Sequence, residues 1–119
     1  VDKLALDILT MLTPDLAKRE YQTEHPLSGL CYVASETYYH LAGGAEAGLQ
    51  PYRLTHEGKP HWYLQSANWD VIDLTADQFD TPIRYATGRR SAFLTKKPSK
   101  RAQIVIDRVF GLWADEAEV

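Results

Sequence analysis

Three side chains in this 119-residue chain can combine into one chemistry: Cys31, which is its single cysteine, His61 and Asp73. A thiol works as a nucleophile when its anion is favoured, a base stands by for its proton and a third group orients that base. Cys31 follows Pro26, Ser28 and Gly29 and opens a run with few breakers, so the pattern puts it in the first turn of a helix. Unpaired backbone N–H groups and the positive end of the helix dipole favour an anion there. His61 opens an aromatic run and Asp73 lies near the end of the next apolar run. Each residue also has a plain structural reading. A lone cysteine is often a small buried hydrophobe, a strand histidine packs beside its neighbour Trp62, and an aspartate caps the turn at Thr75.

The elements that must position these groups follow from period and punctuation. Leu4, Leu6, Ile8, Leu9, Met11 and Leu12 have helical spacing, and Thr13-Pro14-Asp15 stops that helix and starts a second short one. Residues 22–29 lack a period and read as a loop, followed by a helix over 31–41 with Ser28 or Gly29 as N-cap and Gly43-Gly44 at its end. Residues 52–56, 61–65 and 69–74 then form an antiparallel meander, with a turn over 57–60. Thr75 starts a helical turn to Phe79, residues 81–95 are irregular, and Pro98-Ser99 begins a last helix with Ala102, Val105, Ile106, Val109, Phe110 and Trp113 on one stripe. Helices, sheet and closing helix in that order predict an α+β fold, in one domain over 1–119.

Register decides whether the histidine and the acid meet. A three-residue loop, Ser66-Ala67-Asn68, with Asn68 left-handed, pairs Gln65 with Trp69 and sets His61 opposite Asp73 on one face. A two-residue loop pairs His61 with Leu74 and turns Asp73 to the other face, leaving Asp70 as the fallback acid.

Ser-Gly-Leu-Cys-Tyr-Val-Ala-Ser opening a helix, His-Trp opening a strand and Trp-Asp-Val-Ile-Asp-Leu-Thr ending the next resemble the papain-like thiol superfamily, most closely its transglutaminase-like branch. The likeness covers residues 28–79; the chain also resembles small uncharacterised phage and bacterial proteins with comparable segments. The resemblance implies a papain-like core and acyl transfer through a thioester. In that scheme Cys31 is the nucleophile, His61 the proton shuttle and Asp73 the group that fixes the imidazole tautomer. It also implies a polar oxyanion donor ahead of the cysteine, for which Gln22 and Ser28 are the candidates beside the Cys31 backbone N–H. Water as acceptor gives a peptidase, amidase or deamidase, and an amine gives a transglutaminase-type transferase. The substrate is a protein, a peptide or a small amide, and no cofactor is implied.

Composition narrows the field. The chain is 45% hydrophobic with three Trp, seven Tyr and three Phe, enough apolar surface to offset the entropy of ordering. One cysteine excludes an internal disulfide and the paired-cysteine zinc and redox motifs, and Cys31, His25, His56 and His61 lack the close spacing of a structural zinc site. Apolar runs are too short for a membrane span and the first residues do not read as a secretory signal, so the expected compartment is the cytoplasm. Net charge is −3, yet seven of the 13 Lys and Arg fall within 84–101, where there is no Asp or Glu. This strip makes Arg89, Arg90, Lys100 and Arg101 anion-binding candidates, with Ser99, Lys100 and Arg101 at a helix start suited to phosphate. The competing functional class is a non-catalytic module that binds nucleic acid or another polyanion through 84–101, although Tyr85 and Phe93 alone are thin material for base stacking.

Overall fold

The computed structural model describes residues 2–22 and 25–118; Thr23 and Glu24, within the expected loop at 22–29, lie outside the described residues. Among the described residues the architecture is α+β, with three α-helices and a four-stranded antiparallel sheet. Helix α1 spans Lys3–Met11, α2 Cys31–Leu41 and α3 Lys100–Ala117. Strands β1 (Gln50–His56), β2 (Lys59–Gln65), β3 (Val71–Ile72) and β4 (Arg89–Arg90) lie in the order β3-β2-β1-β4. No helix among the described residues is long and apolar enough to cross a membrane.

Helix α2 is the centre of the fold and packs on α1, α3 and β2. Residues Val33 to Tyr38 of α2 are all buried, so it lacks a solvent face and its polar side chains need partners. Ser35 donates to Trp62 O (3.3 Å) and Thr37 to Val33 O (2.7 Å). Glu36, 0% exposed, accepts from both the backbone N–H and the hydroxyl of Ser99 at 2.7 Å. Ser99 in turn caps α3 by accepting from Ala102 N. The apolar core joins Ile8 of α1, Leu30 and Val33 beside and within α2, Leu64 of β2, and Ala102, Val105 and Val109 of α3.

Several local expectations are corrected. The second N-terminal helix shrinks to a single 3₁₀ turn, Pro14–Leu16, because Ala17 is already extended; Thr13 does not cap it and its hydroxyl accepts from Arg108 Nη1 at 2.9 Å. The β1–β2 turn is only Glu57-Gly58, both with positive φ (51° and 75°), which matches a tight hairpin turn and places Lys59 and Pro60 in β2. The β2–β3 loop holds five residues, 66–70. Ser66 sets it by accepting from Asn68 N and Asp70 N through its hydroxyl, and the left-handed residue is Trp69 (φ 68°), where Asn68 was expected. Strand β4 lies inside the stretch expected to be irregular; two residues are too few to carry a period.

Candidate active site

The edge of β2 positions Cys31. Strand β3 reaches only Leu64 and Gln65, which leaves the start of β2 unpaired on that side. Pro60 fits there: it opposes Thr55, next to the pair that closes the hairpin, so its missing N–H is not needed by β1. Carbonyls of alternate residues point to the same side, and α2 uses two of them. Cys31 Sγ lies 3.9 Å from Pro60 O, and Ser35, one turn on, bonds Trp62 O. The N-terminus of α2 is thereby fixed against the strand that carries His61.

The α2 N-cap is Leu30, which has no side-chain acceptor, so the expected capping by Ser28 or Gly29 does not occur. Ser28 donates its hydroxyl to Tyr21 O (2.7 Å), and Gly29 is left-handed (φ 76°) and packed so closely on Tyr21 and Ala17 that a Cβ would collide. The first N–H groups of α2 therefore lack a side-chain cap beside Cys31.

His61 and Asp73 meet, although not by the expected register. Leu64 pairs with Ile72 and Gln65 with Val71, so continuing the ladder sets Asp73 opposite Tyr63, where His61 had been expected. The shift is two residues, which preserves the face: Tyr63 and His61 are on the same side of β2 and Asp73 reaches His61 diagonally. Asp73 Oδ2 lies 2.6 Å from His61 Nε2, with the two side chains 4% and 0% exposed. Asp73 does not cap the Thr75 turn.

The same carboxylate oxygen accepts from the Tyr85 hydroxyl at 2.8 Å, and Tyr63 donates to Tyr85 O at 3.1 Å. Phe79 meets the imidazole edge-on with centroids 4.9 Å apart. Burial opposes a charge on this imidazole and is the largest single influence on it. The hydrogen bond to Asp73 and the polar and Coulombic influence of Asp73 and the nearby Cys31 outweigh burial and push the His61 pKa up to about 9. Burial and the Asp73 carboxylate likewise hold the Tyr85 hydroxyl protonated far above its ordinary range. Cys31 is close enough to act on the ring, yet among the described residues neither Nδ1 nor Asp73 Oδ1 has a hydrogen-bond partner. The buried nitrogen left open is the one that Asp73 does not hold.

A groove of about 210 Å³ opens at Cys31. Tyr21, Tyr32, Trp62 and Phe79 supply its aromatic walls, and Lys18, Lys59 and Arg101 its charge, with no acid among the lining residues. Of the oxyanion candidates, Ser28 lines the groove but is committed to Tyr21 O; Gln22 does not line it and donates to Ala17 O at 3.0 Å. Gln78 does line it, with Nε2 donating to Thr75 O and Oγ1.

The basic strip is not one surface. Arg89 and Arg90 form β4 in a separate cleft, Arg101 lines the Cys31 groove while donating to Leu16 O, and Lys100 is exposed at the start of α3. The expected phosphate position at that helix start already holds a carboxylate, Glu36. Tyr85 and Phe93 are not free for stacking: Tyr85 bonds Asp73, and Phe93 packs on Tyr32, Tyr39 and Trp62. Asp70 is exposed in the 66–70 loop, away from the dyad. Cys31, His25, His56 and His61 do not converge as a ligand set; no group of three or more His, Cys, Asp or Glu suited to a metal occurs among the described residues.

Tyr85, Phe79 and Gln78 escaped the sequence reading. Phe79 and Gln78 fell within a recognised helical turn, but nothing in the residue pattern aims them at His61 or Cys31. Tyr85 lies in a stretch without period. No family model, curated protein or solved structure matches the chain.

Proposed function

We propose that this protein is a thiol-dependent acyl-transfer enzyme of papain-like or transglutaminase-like type, acting on an amide or isopeptide bond through a thioester. The observation that carries the reading is the buried His61–Asp73 bond at Nε2, which leaves Nδ1 open on the ring that Cys31 influences. In this scheme Cys31 Sγ attacks the carbonyl carbon, and the carbonyl oxygen takes the developing charge beside the uncapped N–H groups of α2. Its proton rests on Nδ1, which passes it to the leaving amine as the C–N bond breaks. Water or a second amine then attacks the thioester, returns a proton to Nδ1 and releases the acyl group as the C–S bond breaks. Water makes the reaction a hydrolysis, and an amine makes it a transfer.

Asp73 keeps Nε2 protonated and the ring in place, and Tyr85 steadies Asp73. A groove of about 210 Å³ is below the usual size of drug-like ligand sites, which suits one side chain of a peptide or a small amide. Incubation with p-nitrophenyl acetate followed by peptide mapping tests the scheme. Acetylation should map to Cys31, vanish in Cys31→Ala and turn over more slowly in His61→Ala. Acetylation at other sites alone, or equal turnover without Cys31, contradicts it.

A further inference from the structure

A second cleft among the described residues is larger than the groove at Cys31. It measures about 1210 Å³ and runs along the β1–β4 edge, lined among others by Arg53, Arg84, Arg89, Arg90, His56 and Ser91. Four arginines line it, with no Asp or Glu among its lining residues. None of the four side chains has an ion pair or hydrogen bond among the described residues. Arg53 and Arg89 are direct cross-strand partners, an arrangement that places like charges on one face at close range and opposes the pairing that forms β4.

We propose that this cleft is a binding site for a ligand carrying two or more clustered phosphate groups. Planar guanidinium forks match phosphate oxygens two at a time, and the Arg53–Arg89 pair, with Arg84 and Arg90 lining the same cleft, exceeds what a single carboxylate requires. No Phe, Tyr or Trp lines the cleft, so recognition rests on phosphates and not on stacked bases. A free polyphosphate and the phosphodiester backbone of a single strand share that chemistry. The inference does not depend on acyl transfer at Cys31, although Phe79 touches both His56 at the cleft and His61 in the dyad.

Titration of the intact chain with tripolyphosphate, and separately with a short oligothymidylate, tests the site. Saturable binding of tripolyphosphate is expected, weakening about tenfold or more between about 50 and 200 mM salt. The double variant R53S/R89S should lose about tenfold or more in affinity, whereas the charge-matched control K96S/K97S, in an exposed loop, should bind like wild type. Tripolyphosphate should also raise the melting temperature of wild type more than that of R53S/R89S at the same concentration, which separates lost binding from lost folding. Binding of tripolyphosphate alone assigns a free polyphosphate, and oligothymidylate displaced by tripolyphosphate assigns a phosphodiester backbone. No saturable binding at low salt, or equal binding by R53S/R89S and wild type, overturns the proposal.

Discussion

Asp73 Oδ2 receives two short hydrogen bonds at once, from His61 Nε2 at 2.6 Å and from the Tyr85 hydroxyl at 2.8 Å. One carboxylate oxygen thus ties the β2 histidine to the 3₁₀ turn Tyr85–Thr87, more than twenty residues further along the chain. The dyad is a three-member unit in which the tyrosine holds the acid and the acid holds the imidazole.

Removing the members should separate their roles. Asp73→Ala removes a charged hydrogen bond worth about 1.5–3 kcal/mol, so any Cys31-dependent turnover should fall by about 10- to 100-fold or more. Tyr85→Phe removes a supporting bond worth about 1 kcal/mol and should cost only about fivefold. Steady-state rates of Cys31-dependent ester turnover check the order; a larger loss for Tyr85→Phe than for Asp73→Ala would break it.

The elevated His61 pKa makes stability depend on pH with a definite sign. A histidine at about 9 in the folded chain against 6.5 unfolded binds its proton more tightly when folded. Its contribution is full below about pH 6.5 and is lost as pH rises through 9. Urea denaturation across that window should show wild type weakening on the alkaline side. Asp73→Asn, which lacks the charge that raises the pKa, should weaken much less. Parallel curves for the two proteins would contradict this attribution.

Gly88 sits against Tyr63, whose ring stacks near the imidazole of His61 and whose hydroxyl donates to Tyr85 O. A Cβ at residue 88 would overlap the Tyr63 hydroxyl, so Gly88→Ala must displace that ring or the Tyr85 turn. Overpacking of this kind costs about 1–3 kcal/mol and should appear as a lowered melting temperature. Adding Tyr63→Phe removes the overlapping oxygen and should recover part of the loss. A Gly88→Ala protein as stable as wild type would show that the contact is not tight.

Much of the frame was legible because it rests on short-range patterns. Helix α2 begins at Cys31 and ends at Leu41, as its breakers and Gly43-Gly44 indicate, and Ser99 caps α3 as its position before the apolar stripe indicates. The meeting of His61 and Asp73 was legible only as a question of parity. The loop is two residues longer than the one expected, and an even shift returns Asp73 to the same face, whereas an odd one would have hidden it. What escaped is long-range. Tyr85 reaches Asp73 from an irregular stretch, and Arg89 joins Arg53 through a two-residue strand. Glu36, a charge within a helix, gives no sign in the residue pattern that it will be buried beneath Ser99. The basic strip looked like one feature because its residues are near in sequence, but the fold puts Arg84, Arg89 and Arg90 at one cleft and Arg101 at another, and leaves Lys96, Lys97 and Lys100 exposed outside both.

The central claim is that Cys31 is a nucleophile served by His61, and the rate of its alkylation by iodoacetamide in the native protein, followed against pH, tests it most directly. Wild type should alkylate readily at about pH 6, where an unassisted thiol is almost wholly protonated, and His61→Ala should slow that reaction by about tenfold or more. A thiol that reacts only after unfolding, or at the same rate with and without His61, would contradict the account.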